Sequence, residues 1–159
     1  MAEWAKLPEP PQMGLGHEIS LFMNEYATKT DAIYKEFTEE QYEEYVGNFM
    51  AGDMVFIRPS GNPMDMSGFK GMWASGAIKD ASSELVSVDS SRLLGLFSCW
   101  PKALPVPPGA TAVITYTTHD KFTFQGNVND DIAKFTAVLE KGAGWKIVHA
   151  HRATGQPPK

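Results

Sequence analysis

Apolar residues in the first part of the chain recur at helical spacing. From His17 to Lys29 they return about every 3.6 residues, which predicts a first helix. Thr30 and Asp31 are residue types that cap helices, so a second helical segment could begin there. A single helix that continues through Thr30 fits the same spacing, and the sequence leaves both alternatives open.

A capping pattern marks the start of the next predicted helix. Thr38 and Gln41 stand at the two ends of a Thr-x-x-Gln segment, which has the spacing of a capping box. The helix is predicted to run to about Asn48, with one apolar face turned toward a core. A shorter helix is predicted over residues 64–73.

Beyond Gly52 the pattern changes to the alternation and β-branched content of strands. Residues 101–109 carry several prolines and predict a loop, while residues 127–130 and 142–144 have the composition of turns. The strands are predicted over residues 53–58, 84–89, 92–100, 110–124, 132–140 and 145–152. The second and third segments also fit one bent strand that kinks near Ser90.

Helices followed by a run of antiparallel strands predict an α+β fold. We expect a curved antiparallel sheet with the N-terminal helices packed on its concave face, which leaves a cavity between the two layers. Prolines predict an extended arm over residues 1–15, and the last residues, 156–159, form a similar tail. A single domain then spans residues 16–155, which is long enough to bury its own core.

Composition and charge exclude several classes of protein. The chain has 19 acidic and 14 basic side chains in 159 residues, and no cluster of Lys and Arg that would suit nucleic-acid phosphates. Its one cysteine, Cys99, rules out an intrachain disulfide and cysteine-based zinc motifs. Without a long apolar run or a signal-like leader, we expect a soluble protein of the reducing cytoplasm that binds neither nucleic acid nor membrane.

The last predicted strand concentrates the candidate chemistry. Strict alternation places His149 and His151 on the apolar face of this strand, with Arg152 on the opposite face. Because an imidazole titrates near neutral pH, the two histidines are candidates for a general base and its orienting partner. A hydrogen-bonded role in the core is the open alternative.

Other polar and aromatic residues are candidates for a pocket between the helices and the sheet. Arg58 could bind a carboxylate with two parallel hydrogen bonds, or form a surface ion pair. Aromatic side chains form the walls of many pockets for apolar ligands, although each is also an ordinary core residue. The candidates for ligand binding are Arg58, Tyr34, Trp73, Trp100 and His119, and Tyr116 is a candidate catalytic residue.

Motifs of several large enzyme classes are absent from the sequence. It contains no glycine-rich phosphate loop and no GxSxG nucleophile elbow. A metal site would need ligands beyond the two histidines, and although His119, Asp120 or a carboxylate of a helix could supply one, nothing in the spacing requires it. We therefore expect neither a metal nor a cofactor.

The order of these elements resembles the nuclear transport factor 2-like superfamily, in particular its SnoaL-like members and the association domains of calcium/calmodulin-dependent kinases. The likeness rests on the N-terminal helices, the step from Gly52 into the first strand, the short helix at residues 69–73, and the closing segment of residues 145–155. The resemblance implies a cone-shaped α+β fold, usually dimeric through the open face of its sheet, with a pocket inside the cone.

Members of that superfamily include isomerases, cyclases, dehydratases, and domains that only assemble or bind. The resemblance therefore implies a homodimer, and we expect it to bind a small apolar or carboxylate-bearing molecule. If it is an enzyme, we expect cofactor-free acid–base chemistry with His149 or His151 as the proton carrier. Tyr116 or Arg58 would then polarise an oxygen of the substrate. The alternative is a non-catalytic oligomerisation or interaction domain, in the manner of the kinase association domains.

Overall fold

The computed structural model describes residues 14–156 of the chain. This part holds three α-helices, a single-turn 3₁₀ helix and six strands. They are α1 (Leu15–Lys35), α2 (Glu39–Phe49), β1 (Met50–Ile57), β2 (Pro63–Met64), α3 (Met66–Ala74), β3 (Ile78–Leu93), the 3₁₀ helix (Gly95–Phe97), β4 (Thr111–Phe124), β5 (Asn127–Lys141) and β6 (Trp145–Gln156). Residues 1–13 and 157–159, where an arm and a tail are predicted, lie outside the described residues.

The first helix is continuous, so the alternative of a second segment starting at Thr30 is wrong. The hydroxyl of Thr30 donates to the carbonyl of Tyr26 at 2.8 Å instead of capping a helix start. Asp31 accepts a hydrogen bond from the backbone N–H of Ser83 at 3.0 Å, which ties α1 to the sheet. Leu15, predicted as the last residue of the arm, is the first residue of α1.

Side-chain caps begin the other two helices. Thr38 Oγ1 accepts from the N–H of Gln41 at 3.2 Å, which confirms the start predicted for α2. Asp65 Oδ1 accepts from the N–H of Gly68 at 2.8 Å and fixes the start of α3. Because α2 passes directly into β1, the helical layer is tied to the sheet with no intervening loop.

The sheet is open, with the strand order β2-β1-β6-β5-β4-β3. Most neighbouring strands are antiparallel, but β1 runs parallel to β6, with Val55 beside His149. The α+β class and the cone are confirmed, whereas the expectation of a wholly antiparallel sheet is wrong. The parallel pair arises because the chain crosses from β1 through α3 to the far edge and returns strand by strand.

Two predicted boundaries are wrong for local reasons. Residues 94–100, predicted as part of a strand, contain the 3₁₀ helix, whose first residue Gly95 has a φ of 64° that an extended strand does not allow. The turn before β5 lies at Gln125 and Gly126, with φ values of 50° and 81°, instead of at residues 127–130. As a result, β5 begins earlier than predicted.

The edge strand β3 is one long strand instead of two short ones. Its pairing with β4 shifts at three places, the last between Val88 and Ser90, close to the kink predicted near Ser90. Bulges of this kind twist a free edge and hinder its pairing with another chain. α1 packs along this strand and closes one side of the cone.

A β-bulge in β6 decides which of its side chains face the interior. Leu139 of β5 pairs with Ile147, but the adjacent Val138 pairs with His149, so Val148 is an extra residue on β6. Because side chains alternate along a strand, one extra residue reverses the faces of every residue beyond it.

The faces of β6 therefore exchange after the bulge. Before it, Trp145 and Ile147 are buried, with 5% and 1% of their surface exposed. After it, Ala150 is buried and Arg152 is directed to the interior, whereas His151 is exposed. The prediction that both histidines share the apolar face of this strand is wrong, and so is the outward position predicted for Arg152.

The core lies between the helices and the concave face of the sheet. Its fully buried large side chains include Ile19, Met23, Met54, Ile114, Tyr116 and Leu139. Several aromatic rings surround this cluster, and they are packed mostly edge to face or tilted at centroid distances such as 5.6 Å between Phe22 and Phe49. This aromatic layer borders the cavity of the cone.

Candidate functional site

A cavity of about 70 Å³ lies inside the cone, between α1, α3 and the concave face of the sheet. Its aromatic wall includes Tyr34, Phe56, Phe69, Trp73, Tyr116 and Phe135. A water molecule needs roughly 10–15 Å³ of such space, whereas an apolar cavity that admits benzene has about 150 Å³. In this conformation the cavity therefore suits a molecule with few heavy atoms.

Four tyrosines of the cavity wall, namely Tyr26, Tyr34, Tyr45 and Tyr116, are neutral at physiological pH, as a phenol with an ordinary pKa already is. Burial disfavours the phenolate and raises the pKa of each of them above its ordinary value. The hydroxyl of Tyr45 lies 3.1 Å from that of Thr30. These phenols can therefore donate or accept hydrogen bonds in the cavity but do not supply a negative charge.

The charged end of the cavity is an ion pair between Asp120 and Arg152. Asp120, on β4, is 1% exposed, and its Oδ1 accepts from the hydroxyl of Ser83 at 2.8 Å. Its Oδ2 accepts from Nη2 of Arg152 at 3.3 Å. Since both oxygens have protein donors, the carboxylate is held in one orientation at the cavity wall.

Arg152 serves a second carboxylate as well. Its Nη2 lies 3.5 Å from Asp131 Oδ2, and Asp131 stands directly opposite Asp120 across the β4–β5 ladder. The guanidinium also lies 6.0 Å from the centre of the Phe135 ring. One cation thus faces two carboxylates, which leaves the charged end of the cavity with no spare positive charge.

Two buried polar atoms that belong to residues lining the cavity lack a hydrogen-bond partner within the protein. They are Nε1 of Trp73 and Oγ1 of Thr118, and their residues are 8% and 7% exposed. Buried donors and acceptors are nearly always paired in folded proteins, so each unpaired group calls for an explanation.

Three of the residues predicted to form the site line the cavity. Tyr34 and Trp73 meet edge to face with ring centroids 4.5 Å apart, and Tyr116 stacks on Phe135 at 4.8 Å. The sequence therefore identified part of the aromatic wall, because large aromatic side chains lie on the elements that enclose the cone.

The two histidines of β6 do not line the cavity. His149 is partly buried beside Val55 of β1, and His151 is exposed beside Ile57, both on the sheet face opposite the helices. This position follows from the bulge at Val148, which the spacing of residues alone does not reveal. A role for either imidazole in proton transfer stays a prediction that the placement does not favour.

The other three predicted residues also lie away from the cavity. Arg58 follows β1, and its Nε donates to the carbonyl of Asn62 at 3.4 Å in the turn before β2. Trp100 donates from Nε1 to the carbonyl of Pro105 at 3.1 Å within the proline-rich loop. His119 lies on the outer face of the sheet, with Nε2 2.5 Å from Asp130 Oδ1.

Sequence reasoning missed Asp120, Arg152, Thr118 and Ser83 as cavity residues. Asp120 shares one face of β4 with Tyr116 and Thr118 and was considered only as a metal ligand. An acid at the end of an apolar face was the available signal, since a buried carboxylate requires a partner. Its partner could not be found, because the bulge moves Arg152 to the opposite face from the one that alternation predicts.

Within residues 14–156, no group of three or more His, Cys, Asp or Glu side chains is placed so that it could hold a metal ion. None of the helices in the same range is long and apolar enough to cross a membrane.

A family model described as "Protein of unknown function (DUF3804)" matches residues 27–158. No protein with a curated description matches the sequence. An NTF2-like protein of unknown function from Prochlorococcus sp. NATL2A is 29% identical in sequence, and its structure matches 92% of this chain and 97% of that chain with a TM-score of 0.60.

Two further solved structures share the fold at lower identity. The CaMKII hub homology domain of Chlamydomonas reinhardtii is 20% identical, with 89% of this chain and 98% of that chain covered and a TM-score of 0.57. A candidate scytalone dehydratase from Novosphingobium aromaticivorans is 11% identical, with 89% and 84% covered and a TM-score of 0.61. The resemblance to the nuclear transport factor 2-like superfamily is thereby confirmed, but a shared fold does not assign a function.

Proposed function

We propose that this chain, which belongs to the DUF3804 family, binds a small and largely apolar molecule in the cavity of its cone. The observation that carries the proposal is the Asp120–Arg152 pair at the wall of an aromatic cavity. Removing two charges from water costs several kcal/mol each, and well-packed apolar side chains would often stabilise the fold as well or better. A role in binding therefore accounts for the pair better than the stability that it adds.

The test of this proposal is a variant that fills the cavity. Ala27 of α1 lines the cavity, whereas Ala32 on the same helix is exposed. Ala27→Leu therefore places a larger side chain in the cavity, and Ala32→Leu makes the same change in solvent. Isobutene is a suitable apolar probe, because its few heavy atoms suit a cavity of about 70 Å³. Binding is followed by amide chemical shifts in a titration.

The expected result is that the wild type and Ala32→Leu bind isobutene, with shifts confined to residues of the cavity, and that Ala27→Leu does not. Small molecules released from each purified variant on denaturation provide an independent readout by mass spectrometry. The proposal fails if isobutene leaves the cavity resonances of the wild type unchanged, or if Ala27→Leu binds it as well as the wild type does.

A finer proposal is that the cavity carries out cofactor-free acid–base chemistry, such as isomerisation, cyclisation or dehydration. The support is chemical, because a fixed carboxylate, Asp120, and neutral phenols that include Tyr116 line one cavity. In such a reaction Asp120 would accept a proton and a phenol would donate to the substrate oxygen. Asp120→Asn should then abolish turnover, while His149→Ala and His151→Ala retain it. Turnover that survives in Asp120→Asn and is lost in a histidine variant would identify the histidine as the proton carrier instead.

The second candidate function is assembly through the sheet face opposite the helices. This face carries Val55 and Val138 together with His149, all partly buried, which is consistent with an interface of a homodimer. The fold shared with the CaMKII hub homology domain supports the same idea. If it is correct, Val138→Lys should halve the mass in sedimentation velocity, while Leu21→Lys on exposed α1 should not, and a monomeric wild type would exclude it.

A further inference from the structure

The proline-rich loop between the 3₁₀ helix and β4 presents most of its side chains to solvent. Of residues 101–109, Val106 is buried, with 3% of its surface exposed, and Pro107 is half-buried, while the others are exposed. Leu104 is 48% exposed although it is a large apolar residue, so it gains little from the hydrophobic effect. None of these residues lines the cavity, and the proposed function of the cavity therefore leaves this surface unused.

Proline restricts the backbone of this loop to an extended form. Each proline fixes its own φ at about −65° and disfavours helical backbone in the residue before it. Pro105, Pro107 and Pro108 together therefore favour polyproline II geometry over residues 104–108. Residues 105–107 accordingly belong to no helix, strand or turn. A segment that is restricted in this way loses little conformational entropy when a partner binds it.

Contacts with the rest of the protein hold this segment through its inward side. The N–H of Val106 donates to Glu18 Oε2 at 2.8 Å, and the carbonyl of Pro105 accepts from Nε1 of Trp100 at 3.1 Å. Polyproline II has three residues per turn, so Pro105 and Pro108 share one face and Val106 lies on another. The face of Val106 packs against the protein, which leaves the face of the two prolines open to a partner.

Lys102 gives this surface a positive charge at its N-terminal end. It is exposed, lies three residues before Pro105, and is the one charged residue between Arg92 and His119. A partner with carboxylates beside an apolar groove would match the surface in charge.

The spacing of the loop residues indicates the kind of partner. Lys102, Pro105 and Pro108 form a Lys-x-x-Pro-x-x-Pro segment, which contains the PxxP pattern that aromatic-lined grooves recognise in polyproline II geometry. We propose that Lys102 and residues 104–108 form a docking surface for a protein module of the SH3 type, whose groove is lined by aromatic side chains and bordered by carboxylates.

The experiment is a titration of the full chain with a panel of purified SH3 domains, followed by amide chemical shifts and by calorimetry. At least one domain should shift the amides of residues 102–109, while the amides of the cavity residues keep their positions. A dilution series of the chain alone is measured in parallel. If the loop amides shift with the concentration of the chain alone, the surface contacts a second copy of this chain and the proposal is overturned.

Two variants test the parts of the surface separately. Pro105→Ala removes a proline ring and its fixed φ, and Lys102→Glu reverses the charge of the surface. Each should weaken the binding of the SH3 domain about tenfold or more. Leu104→Ser, at an exposed side chain, should weaken the binding as well, and it replaces Pro105→Ala as the test if thermal unfolding shows that Pro105→Ala does not fold.

The matched controls make the same changes outside the docking surface. Pro101→Ala lies at the exposed start of the loop, and Lys79→Glu lies at the exposed start of β3, the end of that strand remote from the loop. Both should leave the affinity unchanged. The proposal is overturned if no domain of the panel shifts the loop amides, if Pro105→Ala and Pro101→Ala weaken binding by the same factor, or if Lys102→Glu binds as tightly as the wild type.

Discussion

Arg152 reaches Asp120 from a strand that is not its neighbour. The two residues lie on β6 and β4, and the guanidinium spans the intervening β5 to bring Nη2 within 3.3 Å of Asp120 Oδ2. Phe135 of β5 lies under the guanidinium at 6.0 Å. The ion pair therefore ties three strands together on the concave face of the sheet.

Removing the guanidinium should destabilise the protein strongly. In Arg152→Met, Asp120 and Asp131 stand opposite each other with no cation between them, and Asp120 stays buried. Loss of one partner of a buried pair costs about 3–5 kcal/mol of unfolding free energy, which urea denaturation measures. Arg58→Met, at an arginine in a turn outside the cavity, should cost less than about 1 kcal/mol. Equal losses in the two variants would contradict the role of the pair.

Helix α2 follows directly from the sequence, while the polar part of the site does not. Thr38 and Gln41 mark a helix start through local chemistry, so the capping pattern found α2 correctly. In contrast, the bulge at Val148 arises from how β6 pairs with β5 and β1. The residue types around Val148 do not predict a bulge there. One inserted residue was enough to exchange the inner and outer faces, and with them the roles assigned to His151 and Arg152.

Aromatic residues of the site were accessible to sequence reasoning for a different reason. Tyr34, Trp73 and Tyr116 are large apolar side chains on elements that must enclose a core, so burial alone predicts that they meet near the cavity. Polar cavity residues depend on partners that are distant in sequence, such as Ser83 with Asp120. Pairing of that kind requires the register of the strands, which periodicity does not provide.

Two adjacent threonines of β4 should respond in opposite ways to loss of the hydroxyl. Oγ1 of Thr118 is buried without a partner, so Thr118→Val should raise the unfolding free energy of the ligand-free protein by about 1 kcal/mol. Oγ1 of Thr117 donates to Asp89 Oδ2 at 2.7 Å, so Thr117→Val should lower it by about 1–2 kcal/mol. Thermal or urea unfolding of the three proteins measures both changes. A destabilised Thr118→Val protein would mean that this hydroxyl is already paired when the cavity is empty of ligand.

Glu18 joins three separate parts of the fold at the start of α1. Its Oε2 accepts from the N–H of Val106 at 2.8 Å, its Oε1 accepts from Nε1 of Trp145 at 3.3 Å, and it forms an ion pair with Lys141. Burial by itself raises the pKa of Glu18, but the bonds from Lys141 and Val106 outweigh burial and hold the pKa below its ordinary value. The proline-rich loop is thereby attached to α1 and to the start of β6.

A lowered pKa in the folded state makes the contribution of Glu18 dependent on pH. The stability that it supplies is complete above the pKa of the unfolded chain, near 4.5, and is lost as the pH falls through the lower folded pKa. Glu18→Gln should therefore cost about 1–2 kcal/mol at pH 7, and the difference from the wild type should shrink below about pH 4.5. Glu25→Gln, at an exposed residue of α1, should match the wild type throughout. A difference for Glu18→Gln that stays constant down to pH 3 would contradict the assigned cause.

Two glycines at the start of α1 should show opposite effects of an added methyl group. Gly14 has a φ of 100°, and a Cβ there would lie 1.8 Å from the carbonyl oxygen of Lys102, so Gly14→Ala must displace the backbone of the proline-rich loop. We expect it to lower the unfolding free energy by about 2 kcal/mol or more. Gly16 is exposed in the helix with no atom near its Cβ position, so Gly16→Ala should raise the free energy by up to about 1 kcal/mol. Thermal unfolding of both variants measures the difference, and a Gly14→Ala protein as stable as the wild type would show that Lys102 does not pack against the start of α1 in solution.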